Sequence, residues 1–272
     1  MSPAVIDTSY TPAEGASASA LPLKPGEGPT LMKLALVIPT LREAENIRGL
    51  LEHVCSALDA KKIPYEILVV DDDSRDGTEE IVNAISAEDP RVRLLVRKGQ
   101  RGLSGAILHG WEHADAEIFG VMDADLQHPP ELLPALFAAV TGGCDLAIGS
   151  RYTEGGELGS WNPVRKLLSA AAVWVTWPIQ HKGLRAHDPM SGFFMVRRSS
   201  LEKISFQSSG FKLLLEILVR GRIRSVKEIP FAFGARYRGA SKANARVAVD
   251  YARLLVRLYA CRFGLAGREE RE

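Results

Sequence analysis

The sequence predicts an α/β protein built on a doubly wound, mostly parallel sheet with helices on both faces. Two observations carry this expectation. Short apolar runs of strand length alternate with segments of helical periodicity from Leu34 to about residue 150, and polar residues collect directly after those runs. Size and composition agree: 272 residues, 46 % hydrophobic and 25 % charged, supply the core of an ordinary globular protein.

Leu34-Ala35-Leu36-Val37-Ile38 has the pattern of a strand buried on both faces, and Pro39 is expected to stop it. Ile47, Leu50, Leu51, Val54 and Leu58 then recur at helical spacing, with Thr40 and Glu43 in the form of a capping box. The same alternation predicts further strands at 67–70, 92–96, 118–122 and 146–148, with helices at 78–85, 103–114 and 130–140. Such βαβ units make 33–150 one doubly wound half. After Arg151 a Gly-rich stretch breaks the rhythm. Strands at 193–196 and 228–233 and helices at 165–176, 210–220 and 243–261 are expected to complete the same domain, 31–264. Residues 1–30, rich in Ser, Ala, Pro, Gly and Thr, read as a disordered tail, and with no basic start ahead of an apolar run they do not read as a secretory signal. Residues 265–272 read as a second tail.

Several classes are disfavoured. With 34 Lys and Arg against 33 Asp and Glu, no global field argues for a nucleic-acid partner. Cys55, Cys144 and Cys261 form neither a metal pattern nor a disulfide framework, which points to a reducing, cytoplasmic setting. No apolar stretch reaches the roughly 20 residues of a bilayer span. Neither GxGxxG nor a P-loop follows the first strand, as a dinucleotide-binding protein or an NTPase would require. His109, Glu112 and His113 show the HxxEH spacing of one zinc-peptidase class, but they fall within a crossover helix with Gly110 between the histidines, so packing or solvated roles are expected.

In an open parallel sheet, ligands bind beyond the carboxyl ends of the strands. There the sequence places Pro39 to Glu43, Asp71 to Thr78, and Asp123 to His128. Carboxylates concentrated on one rim repel unless a cation or a donor-rich ligand neutralises them. Asp123 and Asp125 alternate by two and Gln127 continues the alternation, giving hard oxygen donors suited to Mg²⁺ or Mn²⁺ bound with substrate phosphates. An acidic turn at 71–76 and a helix-capping loop at 123–125 are the plainer readings of the same residues.

The ordered set Ile38-Pro39-Thr40-Leu41-Arg42-Glu43, Val70-Asp71-Asp72-Asp73-Ser74, Asp123-Ala124-Asp125-Leu126-Gln127-His128, Gly149-Ser150-Arg151-Tyr152, Asp188-Pro189-Met190-Ser191-Gly192 and Arg236-Tyr237-Arg238-Gly239-Ala240-Ser241-Lys242 resembles family 2 glycosyltransferases of the GT-A fold. Within them it is most similar to the polyprenol (dolichol) phosphate mannosyltransferase branch, over about residues 34–263. The resemblance implies that Pro39, Leu41, Glu43, Val70 and Asp72 line the nucleotide pocket, with Asp72 and Glu43 accepting hydrogen bonds from base and ribose. It implies that Asp123, Ala124 and Asp125 also meet the nucleotide sugar, and that Asp123, Asp125 and Gln127 hold Mg²⁺ or Mn²⁺ on the diphosphate. Arg151, Arg236 and Lys242 would join Asp125 in the catalytic group, as donors to the phosphates, and Arg165 with Ser169 would receive the acceptor phosphate. Leu41 stands where the branch often has Tyr, and Arg42 where Asn is usual. Asp188 is open between bracing the acceptor side and capping a turn.

The implied reaction is inverting transfer of mannose from GDP-mannose to a polyprenyl monophosphate at the cytoplasmic face of a membrane. A phosphate monoester with a second pKa of about 6 is largely dianionic at neutral pH, so no strong general base is required. A relative using UDP-glucose or another sugar nucleotide, and a catalytically silent nucleotide-binding regulator, are the alternatives. Peripheral membrane contact is expected, directly or through a separate membrane-anchoring protein. Its candidates are Trp174 and Trp177 and the stripe Val247, Tyr251, Leu254, Leu255 and Leu258, flanked by Arg253 and Arg257; core packing is the plainer reading of the stripe.

Overall fold

The computed structural model describes residues 32–156, 163–181, 183–202, 204, 206, 212–232 and 245–264; the side chains of 163–168 and 245–248 and both expected tails lie outside the described residues. Seven strands form one sheet: β1 (Leu34–Thr40), β2 (Tyr65–Asp71), β3 (Val92–Val96), β4 (Ile118–Val121), β5 (Leu146–Ser150), β6 (Phe194–Arg197) and β7 (Val226–Pro230). Their order is β3-β2-β1-β4-β6-β5-β7. All neighbours pair in parallel except β6, which runs antiparallel to both β4 and β5. The helices are α1 (Ile47–Asp59), α2 (Thr78–Glu88), α3 (Leu103–Glu112), α4 (Leu133–Thr141), α5 (Pro163–Trp174), α6 (Leu213–Arg220) and α7 (Ala245–Arg262).

The period-two alternation of the strands divides the core. Leu34, Leu36 and Ile38 pack with Leu50, Val54, Val82 and Leu136 of α1, α2 and α4, whereas Ala35 and Val37 pack with Ala106, Trp111, Leu214 and Ile217 of α3 and α6. Helices therefore cover both faces. From β1 the chain first moves to β2 and β3 on one side, then returns to β4 on the other. That reversal opens a crevice at the carboxyl ends of β1 and β4.

Two local expectations are corrected. Pro39 does not stop β1, which continues to Thr40 with Pro39 opposite Val70. The carbonyl of Val37 faces β4, where it accepts from the Met122 N–H. Pro39, two residues on, faces the same side beyond the last β1–β4 pair, Val37 with Val121, so its missing N–H costs no ladder bond. The capping box does not form either. Thr40 belongs to the strand and its hydroxyl donates to Asp71 Oδ1 at 2.8 Å, so α1 starts only at Ile47, after a turn in which the Asn46 and Ile47 N–H groups donate to the Glu43 carbonyl. No helix among the described residues is long and apolar enough to cross a membrane.

Candidate active site

The first wall of the crevice comes from the loops after β1 and β2. Asp71 is fully buried and accepts from the Thr40 hydroxyl, from the Ser74 N–H at 2.7 Å and from the Ser74 hydroxyl at 2.6 Å. Asp76 takes the N–H and hydroxyl of Thr78 and the Ala44 N–H; burial works to raise its pKa, but these bonds outweigh it and hold the carboxyl below the ordinary range. Asp72 accepts from Arg97 Nε at 2.7 Å and from the Gly102 N–H at 2.9 Å, with both ion-pair partners buried. The repulsion expected in 71–76 is thus relieved within the chain by hydrogen bonds and by the Arg97 guanidinium. Each Asp72 oxygen keeps further accepting capacity, so the carboxylate can still meet a ligand.

Glu43 accepts from the Asn46 side chain at 2.8 Å, and its own N–H donates to the Thr78 hydroxyl. Arg42, Asp73, Ser74, Arg75, Asp76 and Arg101 line a cleft of about 500 Å³. Arg42, Asp73 and Arg75 all adopt the left-handed backbone region, an arrangement that costs energy and concentrates at functional loops. Val70 reaches this rim through its backbone alone. Its side chain is fully buried in the core under α3, as strand alternation requires, and Ala124 is likewise buried on the opposite face.

The second wall follows β4 and β5. Asp123, Asp125 and Gln127 lie half-buried in one short loop, where the Gln127 N–H donates to Asp125 Oδ1 at 3.2 Å and Leu126 is left-handed at φ 59°. Asp123 rests against bare backbone: a Cβ on Gly192 would stand 2.6 Å from its Oδ2. His128 closes the loop from below, stacked on Phe193 at 5.0 Å, with its Nδ1 accepting from the Asp123 N–H at 3.4 Å. Burial pulls its pKa down to about 4, so it is neutral at physiological pH.

Arg151, directly after β5, places Nε and Nη2 on the two oxygens of Asp188, each at 2.8 Å, and its backbone N–H donates to the same carboxylate at 3.1 Å. Asp188 is fully buried, and its N–H donates to Glu228 Oε1 at 3.0 Å. Asp188 fixes the direction of the Arg151 guanidinium. Lys212, just ahead of α6, joins the group. Burial and the Arg151 charge push its pKa down, while Asp123 and Asp188 oppose that shift. Sequence reasoning missed Lys212 because a single lysine before a helix carries no motif, and only the fold brings it to Asp123 and Arg151.

Of the residues expected to meet the acceptor, Ser169 of α5 has its hydroxyl 2.5 Å from the Tyr152 hydroxyl. The side chain of Arg165, and Arg236 and Lys242 altogether, lie outside the described residues. Among those described, Asp123, Asp125, Gln127, Arg151, Asp188 and Lys212 form one group, and Pro39, Leu41, Glu43 and Asp72 belong to the strand ends and loops of the neighbouring wall.

A doubly wound sheet with oxygen donors and cations at its switch point is the architecture of a GT-A glycosyltransferase. Residues 35–205 match Glycosyl transferase family 2, and the chain belongs to that family of enzymes. It is 43 % identical over 227 residues to the dolichol-phosphate mannosyltransferase of Pyrococcus furiosus, a match covering 84 % of this chain and 64 % of that longer relative. It is 35 % identical over 245 residues to the Saccharomyces cerevisiae protein of the same name, covering 86 % and 89 % of the two chains. Among solved structures, mannosyl-3-phosphoglycerate synthase of Rubrobacter xylanophilus superposes with a TM-score of 0.66 at 16 % identity, over 87 % of this chain and 77 % of that one. Glucosyl-3-phosphoglycerate synthase of Mycobacterium tuberculosis, crystallised with Mn²⁺ and UDP, gives 0.63 at 18 % identity, over 87 % and 82 %. At such identities the structural likeness speaks for the fold.

Proposed function

We propose that the protein transfers mannose from GDP-mannose to a polyprenyl monophosphate, with inversion at the anomeric carbon. The observation that carries this reading is the meeting of oxygen donors (Asp123, Asp125, Gln127) with a braced Arg151 and with Lys212 at one switch point. The names of the relatives support the choice of sugar and acceptor. Two carboxylates and an amide carbonyl, half-exposed and with space kept open by Gly192, suit a hard divalent cation. Held by Asp123, Asp125 and Gln127, Mg²⁺ or Mn²⁺ would neutralise charge on the departing diphosphate.

The remaining work falls to the chain itself. Acceptor and donor both bring phosphate charge, and Arg151 and Lys212 reduce the repulsion as they approach. Asp188 keeps the Arg151 fork aimed in advance, so little reorganisation is needed at the moment of reaction. The acceptor oxygen is already anionic at neutral pH, so positioning rather than proton abstraction is the main task. Asp72 and Glu43 would accept from base and ribose. Ser169, held by Tyr152, would meet the acceptor phosphate together with Arg165, and Arg236 and Lys242 would contact the phosphates.

The lipid acceptor calls for contact with a membrane surface. Leu254 and Leu258 of α7 are buried against Ile179, Leu215 and Val219, so that part of the α7 stripe is core. Trp174 and Trp177 remain 62 % and 37 % exposed, and they provide the interfacial aromatic surface for peripheral binding at the cytoplasmic face, directly or through an anchoring protein. The reading is tested by incubating the protein with labelled GDP-mannose or UDP-glucose, with and without polyprenyl phosphate. Lipid-linked mannose is expected. Transfer from UDP-glucose alone would overturn the sugar assignment, and turnover of neither would leave a silent nucleotide-binding protein.

A further inference from the structure

Away from the crevice, three side chains are arranged as metal ligands are. His109, Glu112 and His113, at the C-terminal end of α3, bring one ligand atom each to within 4.8 Å of the others, the one such trio of His, Cys, Asp or Glu among the described residues. The i, i+4 spacing brings the two imidazoles together on one helix face, ring centroids 4.3 Å apart and planes tilted by 48°. Tetrahedral ligands at bonds of about 2.0–2.1 Å stand roughly 3.4 Å from one another, so a modest rotation of the exposed Glu112 and His113 closes the set.

A second observation prepares the site. His113 Nδ1 lies 2.8 Å from the carbonyl oxygen of His109. A carbonyl only accepts, so Nδ1 carries the hydrogen and the lone pair of His113 resides on Nε2. This is the outer-shell bond that commonly fixes the tautomer and ring direction of a metal-ligating histidine. The His113 carbonyl in turn accepts from Arg93 Nη1 of β3 at 3.2 Å, which ties the end of the helix to the sheet.

We propose that His109, Glu112 and His113 form a second cation site, selective for borderline ions of the Zn²⁺ class. Two imidazoles and one carboxylate suit Zn²⁺ with solvent in the fourth position, whereas Mg²⁺ and Mn²⁺ favour the oxygen donors of the crevice. The two sites lie apart along α3: the Gly102 N–H at its start donates to Asp72, and His109, seven residues on, stands about 10 Å farther along the helix axis. Glu112 serves here as a ligand, so the spacing that resembles a peptidase signature becomes a binding site without hydrolysis.

The test uses the full chain in excess Mg²⁺, so that the oxygen-donor site is filled by its preferred ion while Zn²⁺ is titrated calorimetrically. Co²⁺ in parallel reports tetrahedral nitrogen ligation by its visible spectrum. Wild type is expected to bind one equivalent of Zn²⁺. His113→Gln, at an exposed position that does not endanger folding, should weaken binding by more than the about ten- to hundredfold lost when a supporting hydrogen bond is removed. Glu112→Gln should weaken it while retaining the Co²⁺–imidazole signature, and His109→Ala with His113→Ala should abolish both signals. Equal Zn²⁺ binding by wild type and His113→Gln, or no binding by wild type, would overturn the proposal.

Discussion

Replacing Asp188 with Ala should unfold the protein more readily and disarm Arg151 together. The carboxylate is fully buried, the Arg151 side chain is only 15 % exposed, and three donor groups of Arg151 converge on it. Removing the acid leaves a largely desolvated guanidinium beside the half-buried Lys212. Breaking a buried pair from one side costs about 3–5 kcal/mol. For a chain of this size that corresponds to a fall of roughly 6–20 °C in Tm. Asp188→Asn keeps the shape and one acceptor, so its loss should stay near the about 1.5–3 kcal/mol of a charged hydrogen bond, while kcat still falls because the fork is no longer held. The decisive assay adds the double variant Arg151→Met with Asp188→Asn, measured by thermal unfolding alongside kcat and KM. With the guanidinium and its carboxylate both removed, neither half of the ion pair is left buried alone, so the double variant should be more stable than Asp188→Ala yet the least active. Wild-type Tm and kcat in Asp188→Asn would refute the bracing role, and so would losses in the double variant that merely add.

Gly192→Ala places a methyl group 2.6 Å from Asp123 Oδ2, forcing that carboxylate to shift, and should raise the divalent ion concentration for half-maximal activity by on the order of tenfold, read from Mn²⁺ titrations at fixed substrate. Asp125→Ala should abolish turnover, as should chelation of the wild type, and wild-type rates in chelator would remove the metal from the scheme. His128 is neutral when folded, with a pKa near 4 against about 6.5 unfolded, so its contribution is intact above pH 6.5. As pH falls toward 4 the unfolded chain takes up a proton that the folded chain refuses, and about 3 kcal/mol drains away; His128→Gln should flatten the stability profile across that window, and equal slopes would contradict the assignment. Trp174→Ser with Trp177→Ser should weaken salt-sensitive sedimentation with anionic vesicles, an effect that a purely structural role for these exposed rings would not produce.

What could be read in advance followed from periodicity. Continuous apolar runs and 3.6-residue spacing are direct consequences of burial, so the strands, the helices on both faces and the position of the crevice were legible to within a few residues. Pro39 continues the strand against its local signal because the cost of a missing N–H depends on which neighbour it faces, a property of sheet order rather than of the local chain. Thr40 and Glu43 have capping-box spacing, but the hydroxyl of Thr40 finds Asp71 across 31 residues, a partner no local pattern announces. Lys212 and Asp188 were obscure for the same reason, since both acquire meaning only when β5, α6 and the segment before β6 meet. Val70 shows the converse: its stretch of chain reaches the rim, but strand alternation turns its side chain into the core.

The acidic residues of the rim separate by burial, and the separation argues for where a ligand acts. Asp71, Asp72 and Asp188 are 0 %, 5 % and 0 % exposed, and each is held by donors supplied by the fold: Thr40 and Ser74, Arg97 and Gly102, and Arg151. A buried carboxylate must be compensated permanently, because exchanging its partner during a reaction cycle would expose the full desolvation cost. Asp123 and Asp125 are half-exposed, and solvent can replace a departing partner there at little cost. They are therefore the carboxylates suited to exchanging a cation, as the proposed metal-bound diphosphate requires. The buried three act earlier, in folding, by fixing the β2 turn, the entry to α3 and the Arg151 fork. Neutralising Asp72 should consequently loosen the Gly102 end of α3 as well as nucleotide binding, whereas neutralising Asp125 should leave stability unchanged.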